Sequence, residues 1–170
     1  LFRSTYDKTD FTNVSGAITV TITGQGDYTG TVERTYEITP KAVRVETEGA
    51  SKVYDGTALT ANGKVEGIIE GETYGFTVTG SQTNVGSSSN TYSLVWAAEG
   101  NEYTAKSSNY TVTESVGTLT VTKQSIDPED PDYKGIEVNT PSNQEYNGTE
   151  QKWTPTVMDG ETVLVEGKDY

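Results

Sequence analysis

Four groups of residues in this 170-residue chain have the types and spacing that chemistry can use. Asp127, Glu129, Asp130 and Asp132 gather carboxylates in one short run, and carboxylate oxygens are the donors Ca²⁺ prefers. Pro128 and Pro131 interrupt the run and the EF-hand spacing with its central glycine is missing, so it reads as a solvated linker. Lys41, Lys52 and Lys123 stand near expected strand ends, where a lysine can join an Asn or Asp side chain in an isopeptide bond. That reaction needs a neutral amine in an apolar site beside an acid, and burial is not written in the sequence. Tyr92, Trp96, Tyr103 and Tyr110 offer ring faces on which sugar CH groups stack. Aromatics alternating along a strand more often fill a core. Glu70 and Glu72 resemble a glycosidase pair, but 25 acidic residues make close pairs a matter of chance and a shallow β unit offers no cleft.

The chain holds no histidine and no cysteine. Ser-His-Asp and Cys-His catalysis, thiolate metal sites and disulfide staples are therefore excluded. An enzyme would have to run on carboxylates, lysine or tyrosine alone, so the chain is expected not to be an enzyme. No catalytic, cofactor-binding or metal-binding residue is assigned. A net charge of -13 opposes nucleic acid and anionic lipid as partners, because both demand clustered Lys and Arg. The same charge keeps a long molecule soluble and averse to itself. No apolar run approaches the roughly 18 residues of a membrane span, and no signal peptide is present. A segment cut from the interior of a longer secreted chain has this character.

The elements that position these residues read as short strands. Apolar residues are only 32% of the chain, enough for a thin core but not a deep one. Ala17 to Thr23 alternates Ile18, Val20 and Ile22 with threonines, and Thr31 to Thr39 returns as a second strand closed by Pro40. Val43 and Val45, Phe76 and Val78, the series Tyr92, Leu94 and Trp96, then Tyr110 to Val112 and Leu119 to Val121 mark the strands that follow. Ala58 to Val65 makes at most a single helical turn. Residues 123–135, acidic and proline-containing, read as an extended and fairly stiff spacer. Beyond it come Ile136 to Val138, Trp153 to Met158 and Val163 to Val165. Turn residues every 8–12 positions between short β runs predict an all-β chain of small sandwich-like units.

An internal repeat organises these strands. Tyr54-Asp55-Gly56-Thr57 returns as Tyr146-Asn147-Gly148-Thr149, and Thr83-Asn84-Val85 answers Thr12-Asn13-Val14. Gly100-Asn101-Glu102-Tyr103-Thr104 likewise answers Gly26-Asp27-Tyr28-Thr29. Read from Tyr170 onward into Leu1, the outer marks restore the order of the middle ones. Residues 41–122 are then one complete module, 1–39 the back half of another, 123–135 a linker and 136–170 a front half. The Asp55-Gly56 and Asn147-Gly148 pairs are hairpin-type turns, each preceded by a tyrosine expected to anchor in the core. The Asn-X-Ser/Thr matches at Asn13, Asn109 and Asn147 are expected by chance in a threonine-rich chain.

Lys52-Val53-Tyr54-Asp55-Gly56-Thr57 resembles the opening signature of the mostly-β, glycine-rich repeat domains (the MBG and YDG families) of Gram-positive surface adhesins. Thr19 to Gly30 followed by Tyr36-Glu37-Ile38-Thr39-Pro40-Lys41 resembles their closing signature. The resemblance implies an extracellular, cell-wall-attached protein in which such modules serve as a stalk or spacer. The neighbouring repeats of the same protein are its partners, and no site residues come with the signature. Direct recognition of host glycan or protein is the alternative. The two half-modules are expected to pair with each other, within one chain or head-to-tail between copies. The linker can span at most about 43–47 Å, which favours pairing between copies.

Overall fold

The computed structural model describes residues 1–167, so the last three residues of segment 136–170 lie outside the described residues. Strands make up 44% of the chain and no α-helix forms among the described residues, so the all-β expectation holds. The strands gather into several small sheets.

Strands β1 (Phe2–Tyr6), β2 (Ser15–Gly24) and β3 (Thr31–Ile38) lie antiparallel in that order. The alternation in β2 does what a two-residue period dictates: Ile18 is fully buried and Val20 and Ile22 are half-buried on the same side. Strands β4 (Lys41–Thr47), β5 (Ala50–Val53), β6 (Gly63–Glu66), β7 (Gly75–Val78) and β8 (Gly86–Ser89) follow. After β9 (Tyr92–Val95) and a 3-10 turn at Ser107–Asn109 come β10 (Tyr110–Ser115) and β11 (Thr118–Thr122). Finally β12 (Ile136–Val138), β13 (Val157–Asp159) and β14 (Thr162–Leu164) form a separate antiparallel sheet.

The middle segment is organised by one long parallel pairing. Lys41 lies opposite Tyr110, Glu46 opposite Ser115, Ala50 opposite Leu119 and Val53 opposite Thr122, with the same offset between partners throughout. Residues 41–53 and 110–122 therefore run side by side as the first and last strands of the segment. Halfway along, at Glu48-Gly49 and Val116-Gly117, both pass from one sheet to the next. In the first sheet β4 is central, between β10 and β6, and in the second β11 is central, between β5 and β8. Val43, Val45, Leu119 and Val121 are all buried along this pair. Val43 packs with Ala105 and Tyr110, and Val65, Ile68, Tyr74 and Trp96 close over them.

The crossing leaves no room for side chains. A Cβ on Gly117 would sit 2.2 Å from the carbonyl carbon of Glu48, so only glycine fits. Gly117 N donates to Thr47 Oγ1 (3.0 Å). Asn90, fully buried, takes up the backbone groups that the crossing frees from the ladders. Its Nδ2 donates to the carbonyls of Glu48 (2.9 Å), Ala61 (3.3 Å) and Asn62 (3.4 Å), and its N donates to Gly117 O (2.8 Å). Buried backbone carbonyls need partners, and the two Nδ2 hydrogens are shared among these three, of which Asn62 O also accepts from Glu48 N (2.8 Å).

Several expectations are corrected. Ala58 to Val65 makes no helical turn: Leu59 bridges to Gln82 and Gly63–Glu66 is β6, because the second edge of β4 needs hydrogen-bond partners. The sequence reading did not mark β1 and β8. Gly86-Ser87-Ser88-Ser89 carries no apolar alternation and is a strand because β11 offers an edge, with Ser87 Oγ 2.9 Å from Thr120 Oγ1. Trp153 to Met158 shrinks to Val157–Asp159. The linker is not extended: Asp127 O accepts from Asp130 N (3.1 Å), and Asp130 O from Tyr133 N (3.0 Å), in two successive reverse turns. Among the described residues the outer segments share no ladder within the chain, since β1–β3 and β12–β14 are separate sheets.

Candidate functional site

Two of the four linker carboxylates, Asp127 and Asp130, accept bonds from the backbone of their own turns. Asp127 Oδ1 accepts from Glu129 N (3.0 Å) and Asp130 Oδ1 from Asp132 N (2.8 Å), each closing its own reverse turn. Among the described residues no three metal-ligating side chains converge.

Of the three lysines, Lys41 and Lys123 are exposed at the two ends of the long strand pair. Lys52 reaches back across the turn it precedes. Its Nζ donates to Asp55 Oδ1 (2.6 Å), Thr57 O (2.6 Å) and Thr57 Oγ1 (2.7 Å). The Lys52 ammonium, with the Thr57 amide and hydroxyl, holds the Asp55 carboxyl down at about 2. Amide formation wants a neutral amine and a protonated acid, and this pair is arranged as an ion pair instead.

The aromatic quartet divides. Trp96 and Tyr110 stack with ring centroids 5.4 Å apart and planes at 19°, but Tyr110 lies in the core beneath. Its hydroxyl donates to Glu72 and accepts from Ile69 N (3.2 Å). Burial first, and the Glu72 contact second, push the Tyr110 phenol above its ordinary range. Glu72 is thereby committed to a structural bond, and Glu70 stands exposed beside it with no part in a pair. Tyr103 lies over Gly75: a Cβ there would come 2.6 Å from its hydroxyl. Tyr92 tilts against Phe76 at 5.8 Å, and its phenol is raised by burial and by a hydrogen bond to Glu114.

Two of the four, Tyr92 and Trp96, share an open groove between β9 and β10 with Leu94, Val112, Glu114 and Val116. Here two half-buried aromatic rings lie beside a carboxylate at an open surface. The groove is shallow, and no pair of acids faces across it.

A second constellation joins successive segments, and sequence reasoning missed it. Asn109 Oδ1 accepts from Val14 N (2.9 Å) and Asn109 Nδ2 donates to Asn13 Oδ1 (3.0 Å). Lys106 Nζ reaches the same oxygen (3.2 Å), and Asp10 steadies the loop by accepting from Asn13 Nδ2 (2.7 Å) and Thr12 N (2.9 Å). The Thr12-Asn13-Val14 mark is thus the foot on which the first sheet meets the middle segment. Its counterpart repeats the placement: Asn84 and Val85 line a cleft with Ile136, Asp159 and Leu164 of the third segment. The available signal was the repeated Thr-Asn-Val itself. Asn13 and Asn109 also match Asn-X-Ser/Thr, a pattern that says nothing of what their amides bond.

No family model matches the chain, and no curated protein or solved structure matches it either.

Proposed function

We propose that this chain is a non-catalytic stalk or spacer repeat of an extracellular bacterial cell-surface adhesin, attached to the wall through regions outside this segment. In this reading residues 41–122 are one β-sandwich-like module, and 1–39 and 136–170 are halves of further modules. The observation that carries it is the parallel pairing of the first and last strands. A module built this way receives the chain at Lys41 and releases it at Lys123, at opposite ends, so copies add in a line. The Thr-Asn-Val loops at both joints support it, and so does the resemblance of the Tyr-Asp-Gly-Thr and Gly-Asp-Tyr-Thr marks to adhesin repeats.

The split-module reading is supported by matching register. In the middle segment Val45 faces Val65 across β4 and β6, and in the third Val138 faces Val157 across β12 and β13. Strand β4 is covered on its other side by β10, whereas among the described residues β12 is an edge strand of its sheet. A neighbouring repeat, in the same protein or in a second copy bound head-to-tail, is the partner that covers such an edge.

The open groove at Tyr92 and Trp96 favours one second reading, a module that binds host glycan or protein directly. A glycan array probed with the purified chain separates the two. The stalk reading expects no reproducible binding. Binding that disappears in Trp96→Ala, with the fold intact by circular dichroism, would overturn it.

A further inference from the structure

The middle segment has the geometry of a device that holds under tension. Every backbone bond between residues 41–53 and 110–122 lies across the line joining the two points where the chain enters and leaves. Pulling Lys41 and Lys123 apart slides the first strand against the last. All bonds of a ladder on the order of 40 Å long are then strained together, and none breaks alone. Pulling both strands from the same end would instead open the ladder one bond at a time.

Side chains reinforce the same seam. Thr113 Oγ1 donates to Val43 O (3.2 Å), Gly117 N to Thr47 Oγ1 (3.0 Å) and Thr122 Oγ1 to Lys52 O (3.3 Å). Each of these ties the last strand to the first, and they recur along its length. Tyr54 N extends the seam past the end of β5 by donating to Thr122 O (2.9 Å). At the crossing, where a long pair would otherwise buckle, Asn90 binds both strands, Glu48 O on the first and Gly117 O on the last.

We propose that residues 41–122 form a shear clamp, a module whose further function is to bear axial force between its two ends. Its biological use rests on the stalk reading, but its mechanics do not.

The test is single-molecule force spectroscopy on the full chain. Because the chain has no cysteine, engineered pairs define the points of load. Lys41→Cys with Lys123→Cys loads the seam in shear, and Lys41→Cys with Lys106→Cys peels it from one end. All three lysines are exposed, and Ser108→Cys, also exposed, serves in place of Lys106→Cys should that variant fold poorly. The rupture force in the shear geometry is expected to be about twofold or more above that in the peeling geometry at equal loading rate. Thr113→Val with Thr122→Val should narrow this gap. Equal forces in the two geometries would overturn the clamp while leaving the stalk reading untouched. Glycan binding at Trp96 would overturn the stalk reading without changing the force ratio.

Discussion

The turns at Tyr54-Asp55-Gly56-Thr57 and Tyr146-Asn147-Gly148-Thr149 are the same object in two settings. Neither is the hairpin turn expected of it: β5 pairs with β11 and β6 with β4, and among the described residues no strand flanks Asn147-Gly148. In the first, Asp55 Oδ1 accepts from Thr57 N (2.9 Å) and Thr57 Oγ1 (2.8 Å). In the second, Asn147 Oδ1 accepts from Thr149 N (3.0 Å) and Thr149 Oγ1 (2.7 Å). Gly56 and Gly148 hold φ of 75° and 76°, the left-handed region that a β-carbon disfavours. The tyrosines part company. Tyr54 is half-buried and tied to Thr122, whereas Tyr146 is 89% exposed, against the expectation of a core anchor at both. A turn closes on its own side chains, but a tyrosine buries only where strands give it a wall. Residues 50–53 have β11 beside them and form β5, whereas the stretch leading into Tyr146 has no such partner and forms no strand.

The strands that follow the Gly-to-Tyr turns repeat the lesson. Strand β3 stays on β2 for its whole length. In the middle segment the corresponding stretch bonds back at first, Ala97 N to Ala105 O (2.8 Å). It then crosses through Ser107–Asn109 to become β10 beside β4. Where a second sheet is present the strand changes sheets, and where it is absent the strand remains with its hairpin partner.

The sharpest break between the regions is expected at glycines. Gly117→Ala drives a methyl into the Glu48 backbone, whereas Gly16→Ala, in β2, meets nothing within 4 Å. Urea denaturation should show about 3 kcal/mol lost for the first and within about 0.5 kcal/mol for the second. Similar midpoints for the two variants would contradict the close crossing.

Tyr54→Ala should cost about 1–2 kcal/mol and Tyr146→Ala less than about 0.5 kcal/mol, by the same measurement. Head-to-tail pairing between copies would erase that contrast at high concentration. Light scattering should then rise with concentration as Tyr146 becomes protected from proteolysis, and a strict monomer would remove the intermolecular partner.

The smallest effect is a local titration. Asp55 is held at about 2, below the ordinary 3.8, so its contribution to stability is present above pH 3.8 and is lost as the pH falls toward 2. The Thr57 amide resonance should move through that window while the Thr149 amide, bonded to an uncharged Asn147, stays still. In Asp55→Asn both should be flat. Movement at Thr149 equal to that at Thr57 would show that the turns are not responding locally.

Much of this molecule was legible residue by residue. Ile136–Val138 coincides with β12, and Val43 and Val45 point inward as their alternation with Arg44 requires. The groove was legible in part, through Tyr92 and Trp96, while Tyr110 went to the core and Tyr103 elsewhere. The Asn13–Asn109 joint was not legible, because both amides look like ordinary loop residues until the fold sets them face to face.

What the sequence by itself determined is local. It settled where β-branched residues alternate, where Asx-Gly pairs reverse the chain, and that without histidine or cysteine whole classes of chemistry are closed. Tertiary structure alone decided that 41–53 runs parallel to 110–122, that a serine-rich stretch becomes β8, and that Asn90 and Gly117 sit at the crossing. The reason lies in the hydrogen bond of a sheet. A helix finds its acceptor four residues away, within reach of any local pattern, but a strand finds its partner wherever the chain returns. Nothing in its own residues names the segment that will be there.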